Sequence, residues 1–318
     1  DLPPSMQAPP DTPLVMAFLD ARNGKVATPS TTAGMLFELF PALSVFRLRT
    51  AAANQAALTA MERFDRFGVP SAAGDLARGT SLERAGDTEG ALLAYTRAER
   101  NAPDCYPSTL GKARMLVAGN KGQEALVALA SVPSGILESP VGRRIVAEAM
   151  YRAGRYAEAL PLITRVLLDD PLDSRFVLMR AHLLVEQGQF RQASPLLDAY
   201  SSIDPGDRLY ILLRARTALE SAKDRNAAVV ALKNGLARYP DDPEMMVFAA
   251  EVFWNGDEAE RALAVGYAER VIGVEPSSVR ALGVLLAASL KAADYQAAAG
   301  YADRILSITK DFGRYGLL

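Results

Sequence analysis

With 318 residues, half of them hydrophobic and 23% charged, the chain is long enough for one to three domains and can bury a large core, which excludes wholesale disorder. Its 35 Lys and Arg against 37 Asp and Glu leave a formal charge of −2, with no bulk excess to draw it to nucleic acid or an anionic membrane. A single cysteine, Cys105, and a single histidine, His182, exclude an intrachain disulfide framework, a multi-thiolate zinc site and every two-His metal motif.

Residues 1–33 open Asp-Leu-Pro-Pro-Ser-Met-Gln-Ala-Pro-Pro-Asp-Thr-Pro, which predicts a Pro-rich extended arm. A short helix is expected over Leu14–Ala21 and a turn at Asn23-Gly24-Lys25. No basic stretch leads into an apolar one there. Such a start fits a processed secreted protein or lipoprotein, and equally a trimmed piece. The excess of Arg over Lys and the abundance of Ala fit a GC-rich bacterial genome, and with the arm they favour the periplasm or cell envelope over the cytoplasm. In residues 34–71 an apolar run ends at Pro41, and Ala42–Phe67 follows as one long helical pattern closed by Gly68-Val69-Pro70. The expectation is a degenerate helical pair acting as an N-terminal cap, with a separate docking element as the alternative.

From there on the chain is periodic. Pro103, Pro171, Pro205, Pro240 and Pro276 are separated by 68, 34, 35 and 36 residues, and most stand beside an acidic residue. Twelve residues before each stands an alanine: Ala91, Ala159, Ala193, Ala228 and Ala264. Twelve before that stands Gly79, Ala147 or Ala181; the gap widens between Ala215 and Ala228 and between Ala250 and Ala264. Turns such as Ala153-Gly154-Arg155 lie between the two small residues. Apolar residues recur at helical spacing in both halves, for example Leu92, Tyr95 and Ala98, so each half reads as an amphipathic helix. Small residues at the two locked positions let the paired helices cross closely. One such pair cannot bury its apolar face alone, so neighbours must stack. The longest late apolar stretch, Ala281–Leu290, falls short of the ~20 residues a membrane span needs.

This period, with its small–turn–small pattern and terminal proline, resembles the tetratricopeptide repeat family. The resemblance covers about seven units over residues 72–310, namely 72–105, 106–139, 140–173, 174–207, 208–242, 243–278 and 279–310. It implies an all-α fold, a right-handed α-solenoid of stacked helix-turn-helix repeats, followed by a tail over 311–318. The sequence departs from the family in lacking its bulky aromatic early in most first helices. Leu137 stands where a proline is expected, and the units 208–242 and 243–278 carry insertions expected to alter their turns.

Chemistry is hard to find in the sequence. Cys105 has no nearby His, Gly119-Asn120-Lys121-Gly122 lacks the end of a phosphate loop, and the pairs Asp169-Asp170 and Asp241-Asp242 lack calcium-loop spacing. The reading is a protein that is not an enzyme, without cofactor or metal. The resemblance implies that first helices line a concave face, where Arg114, Arg144, Glu148, Tyr151, Arg152, His182, Glu186, Arg216 and Trp254 would meet a protein or peptide partner. Arg144, Tyr151, Arg152 and Arg216 suggest an acceptor for acidic or C-terminal carboxylate groups. The family's chaperone-tail set of Lys and Asn is not present, so that ligand is not expected. Nucleic acid and a transmembrane segment are not expected either, and self-association stays open. The leading function is an interaction scaffold. The alternatives are a bacterial cell-envelope assembly, polysaccharide-export or secretion component, and a regulatory repeat domain of a larger enzyme.

Overall fold

The computed structural model describes residues 50–66 and 70–309. The predicted arm, half of the 34–71 segment (34–49 and 67–69) and the 311–318 tail lie outside the described residues. Every regular element among the described residues is a helix: α1 (Ala51–Asp65), α2 (Ala72–Ala85), α3 (Thr88–Asn101), α4 (Tyr106–Ala118), α5 (Gly122–Leu129), α6 (Ser134–Leu137), α7 (Pro140–Arg152), α8 (Tyr156–Asp169), α9 (Ser174–Glu186), α10 (Phe190–Tyr200), α11 (Arg208–Glu220), α12 (Arg225–Arg238), α13 (Pro243–Trp254), α14 (Glu258–Val274), α15 (Val279–Lys291) and α16 (Tyr295–Thr309). None of them is long and apolar enough to cross a membrane. The chain divides into two compact units, Asp1–Asp169 and Asp170–Leu318, holding α1–α8 and α9–α16 respectively.

Each unit is built from stacked helix hairpins. In the first, α2 packs on α3, α4 on α5 and α7 on α8; in the second, α9 packs on α10, α11 on α12, α13 on α14 and α15 on α16. The second helix of a hairpin also packs on the first helix of the next, as α3 does on α4 and α12 on α13. Helix α1 meets α2 in the same way. What permits this is side-chain size. Ala113, Ala147, Ala181, Ala215 and Ala250 on first helices, and Ala91, Ala125, Ala159, Ala193, Ala228 and Ala264 on second helices, are all fully buried. A larger side chain at any of them would push the helix axes apart.

The periodic acidic residues end one helix and start the next. Asp207 accepts a hydrogen bond from the Tyr210 amide at 2.8 Å, Asp242 from that of Met245 at 2.8 Å and Asp173 from that of Phe176 at 3.2 Å. Asp87, Asp224, Asp257 and Asp294 cap α3, α12, α14 and α16 likewise. Each such cap stabilises its helix by about 1 kcal/mol. Glycine supplies the left-handed turn residue in three hairpins, with φ of 82° at Gly86, 73° at Gly154 and 70° at Gly188. In three others Asn120, Lys223 and Ala293 take that conformation.

The irregular units differ from expectation in an informative way. Where Leu137 replaces proline, α5 is cut to eight residues and the one-turn α6 precedes α7, whose start is set by Ser139 and Pro140 instead. The insertion before Ala228 lies in the turn, with Lys223 left-handed. The insertion before Ala264 does not: it extends α14 to 17 residues, because Asp257 caps that helix early.

One close joint in the first unit is at Tyr95, which is fully buried. A Cβ at Gly79 would stand 2.7 Å from its ring, and one at Gly111 only 2.5 Å. Two first helices therefore close on one aromatic ring because both carry glycine there. The Gly111→Ala variant is expected to lose about 1–3 kcal/mol, measured by urea unfolding, and to lose less than half as much in a Tyr95→Leu background; an equal loss in both would show that the ring is not the obstacle. A separate expectation concerns backbone alone. A Cβ on Gly86 meets nothing within 4 Å, so Gly86→Ala is expected to cost about 1–2 kcal/mol through its left-handed φ. The exposed Ala293 has the converse fault, and Ala293→Gly is expected to add about 0.5–1 kcal/mol, read as a rise in thermal midpoint.

Candidate functional site

In the second unit α9 packs on α11 and α13 packs on α15, while α11 and α13 are joined chiefly through α12. A groove of about 380 Å³ opens along these four first helices. Its apolar part comes from Leu209, Leu212, Leu213 and Leu219 on α11 and Phe248 on α13. His182 and Glu186 on α9 line one side, Arg216 and Glu220 continue α11, and Glu244, Glu251 and Arg280 complete the other side.

The charges are organised as pairs across neighbouring helices. Arg216 donates from Nη1 to Glu186 Oε1 at 2.7 Å. Arg280 binds both oxygens of Glu251, at 2.8 and 2.5 Å, and those hydrogen bonds raise its pKa above the ordinary arginine value. Glu244 accepts from Arg208 at 2.7 Å, and Arg208 also binds Asp242, the cap of α13. His182 lies beside this network, with Nε2 4.0 Å from Glu186 Oε1 and a side chain 18% exposed. Burial pushes its pKa down. The carboxylates of Glu186 and Glu244 oppose that shift, and the positive charge of Arg216 reinforces it.

The remaining residues singled out by the sequence sit in other surroundings. Arg114 is held by Glu83, Nε to Oε1 and Nη2 to Oε2 both at 2.8 Å. The Tyr95 hydroxyl donates to the same carboxylate at 2.5 Å, and burial followed by that carboxylate pushes the phenol up to about 12. Arg114 thus belongs to a packed inter-repeat joint. Arg144 is half-buried and Glu148 buried. Tyr151 is 8% exposed, with its ring 5.7 Å from that of Tyr156, and the exposed Arg152 lies 5.8 Å from the centre of the same ring. Trp254 is half-buried against the core of the second unit, with Lys291 Nζ 5.7 Å from its ring. Of the nine, the groove brings together His182, Glu186 and Arg216.

Sequence reasoning missed Leu209, Leu212, Leu213, Phe248, Glu244 and Arg280. Leu209, Leu212 and Leu213 precede Arg216 by seven, four and three residues, so they share its helix face. Following that face towards the N-terminus as well as the C-terminus would have found them. Among the described residues no group of three His, Cys, Asp or Glu side chains could hold a metal ion.

Family models described as tetratricopeptide repeat match residues 76–133 and 150–217. Among solved structures, the chain is similar to a tetratricopeptide repeat protein from Parabacteroides merdae ATCC 43184, at 16% identity over 75% of this chain and 93% of that one, with a TM-score of 0.51. It is similar to a chain of the APC/C hetero-tetramer Cut9-Hcn1, at 13% identity over 85% of this chain and 58% of that one, TM-score 0.56. Pseudomonas aeruginosa pilF matches at 16% identity over 69% of this chain and 99% of that one, TM-score 0.53. At these identities the likeness is one of fold. No curated protein matches the chain.

Because the chain has one histidine, a single imidazole resonance reports on this groove. It is expected to titrate below the ordinary 6.5. The unfolded chain then binds the proton more readily, so the contribution of His182 to stability is present above 6.5 and is lost as pH falls from there through the folded value. An NMR titration with a midpoint at or above 6.5 would contradict the burial described here.

Proposed function

We propose that this tetratricopeptide-repeat protein is a non-catalytic scaffold that holds an extended segment of a partner protein in the groove lined by α9, α11, α13 and α15. Repeats of this kind are generally protein-interaction scaffolds, and that much rests on the family matches and the fold. The finer assignment rests on one observation. Leu209, Leu219 and Phe248 are only partly covered by the protein's own atoms and are framed by charge pairs that rigidify the helices on either side. An apolar strip with a polar rim is the surface composition that buries a partner's side chains while excluding water from around them.

His182, Glu186 and Arg216 form one rim in this reading. Arg152, the exposed member of the first unit's set, lies outside it. Tyr151 is too deeply packed to be an anchor without displacing its neighbours, so its loss would register as instability before it registered as lost binding.

A photo-crosslinking amino acid at position 209 is expected to give a partner adduct in extract from the native host, whereas the same group at position 230, exposed on second helix α12, gives none. Phe248→Asn is expected to reduce the adduct at 209 at least fivefold, with the helical circular dichroism signal unchanged. Adducts at 230 without adducts at 209 would rule out the groove.

A further inference from the structure

The groove lining is lopsided in charge. It carries four carboxylates, Glu186, Glu220, Glu244 and Glu251, against two guanidiniums, Arg216 and Arg280. Both guanidiniums are already bound by a carboxylate from the adjacent first helix, Arg216 by Glu186 and Arg280 by Glu251. Glu220 and Glu244 have cationic neighbours that lie outside the lining, Lys223 and Arg208 respectively. Lys223 is 3.7 Å from Glu220 and 76% exposed, a contact solvent screens strongly. Arg208 is shared with Asp242, so Glu244 does not have it to itself. Facing the groove, then, are an apolar floor and two half-exposed carboxylates beyond those used in the Arg216 and Arg280 pairs.

The positions of those two carboxylates add a length. Glu220 ends α11 and Glu244 stands in the first turn of α13. For neighbouring first helices running the same way, that places them roughly 16 Å apart along the helix direction. An extended chain covers this in about five residues.

We propose that the groove's occupant is a basic, apolar peptide segment, with a leucine-like side chain over Leu209, Leu219 and Phe248 and a Lys or Arg at each end meeting Glu220 and Glu244. This rests on the groove reading above and adds the partner's chemistry to it. It reverses the acidic ligand that the arginines suggest from sequence alone. An acidic segment would need to break the Arg216–Glu186 or Arg280–Glu251 bonds to find a cation within the lining, and would be placed against the carboxylates of Glu220 and Glu244.

The test uses the full chain and two fluorescently labelled peptides, Ser-Lys-Ser-Leu-Ser-Lys-Ser and Ser-Glu-Ser-Leu-Ser-Glu-Ser, whose second, fourth and sixth side chains share one face when extended, in anisotropy titrations. The basic peptide is expected to bind at least tenfold more tightly than the acidic one at low salt, and to weaken as salt is added. The double variant Glu220→Gln, Glu244→Gln is expected to bind the basic peptide about five- to tenfold more weakly, with an unchanged thermal midpoint, since Arg208 keeps Asp242. Equal binding of both peptides, no binding of either, or full affinity in the double variant would overturn the inference. Acidic-peptide binding that disappears in Phe248→Asn would leave the groove standing and remove only its basic preference. Failure of the crosslink at 209 would remove both.

Discussion

The close crossing of paired helices at alanine or glycine is the constraint from which the rest follows. At Ala147 and Ala159, or Ala181 and Ala193, nothing larger than a methyl group separates the backbones, and none of that methyl surface reaches solvent. The close approach lets the second helix of one pair also reach the first helix of the next, so each hairpin completes the core of its neighbour. A hairpin alone would leave an apolar face in water. Where the small residue is glycine, as at Gly79 and Gly111, the space goes to the ring of Tyr95. That ring in turn holds Glu83, which in turn holds Arg114.

The same arrangement aligns the first helices, and their polar residues therefore meet across pairs. Glu83 with Arg114, Glu186 with Arg216 and Glu251 with Arg280 are separated by 31, 30 and 29 residues, close to one repeat. The last two lie at the surface, and their value is less in net stability than in holding side chains fixed, whereas the first is half-buried beside Tyr95. In the second unit they frame a strip of leucines and a phenylalanine between α11 and α13. A groove of this kind suits recognition by shape and charge.

The groove opens beside the pair with the inserted turn residue, where Lys223 takes a left-handed conformation. There α11 and α13 are joined chiefly through α12, in contrast to the direct contacts of α9 with α11 and α13 with α15. An irregularity in the repeat thus coincides with this groove, whereas the joint at Tyr95 is filled by its ring.

The sequence by itself determined the helical repeat. Proline and aspartate every 34 to 36 residues, locked to alanine, dictate where helices start, stop and cross, because capping and steric exclusion are local and depend on residue type. With one Cys and one His it also excluded a multi-thiolate or two-His metal site. The site was only partly legible. His182, Glu186 and Arg216 follow from their place beside the small packing residue. Tyr151 and Trp254 look like anchors in the sequence, yet Tyr151 is buried and Trp254 is half-buried against the second unit's core, because the covering of a helix face depends on neighbouring helices that residue type alone does not specify. Only the tertiary structure decided that Arg216 and Arg280 are paired with glutamates from adjacent helices. Charge in a list of residues is a sum, whereas charge in a groove depends on which groups have already met.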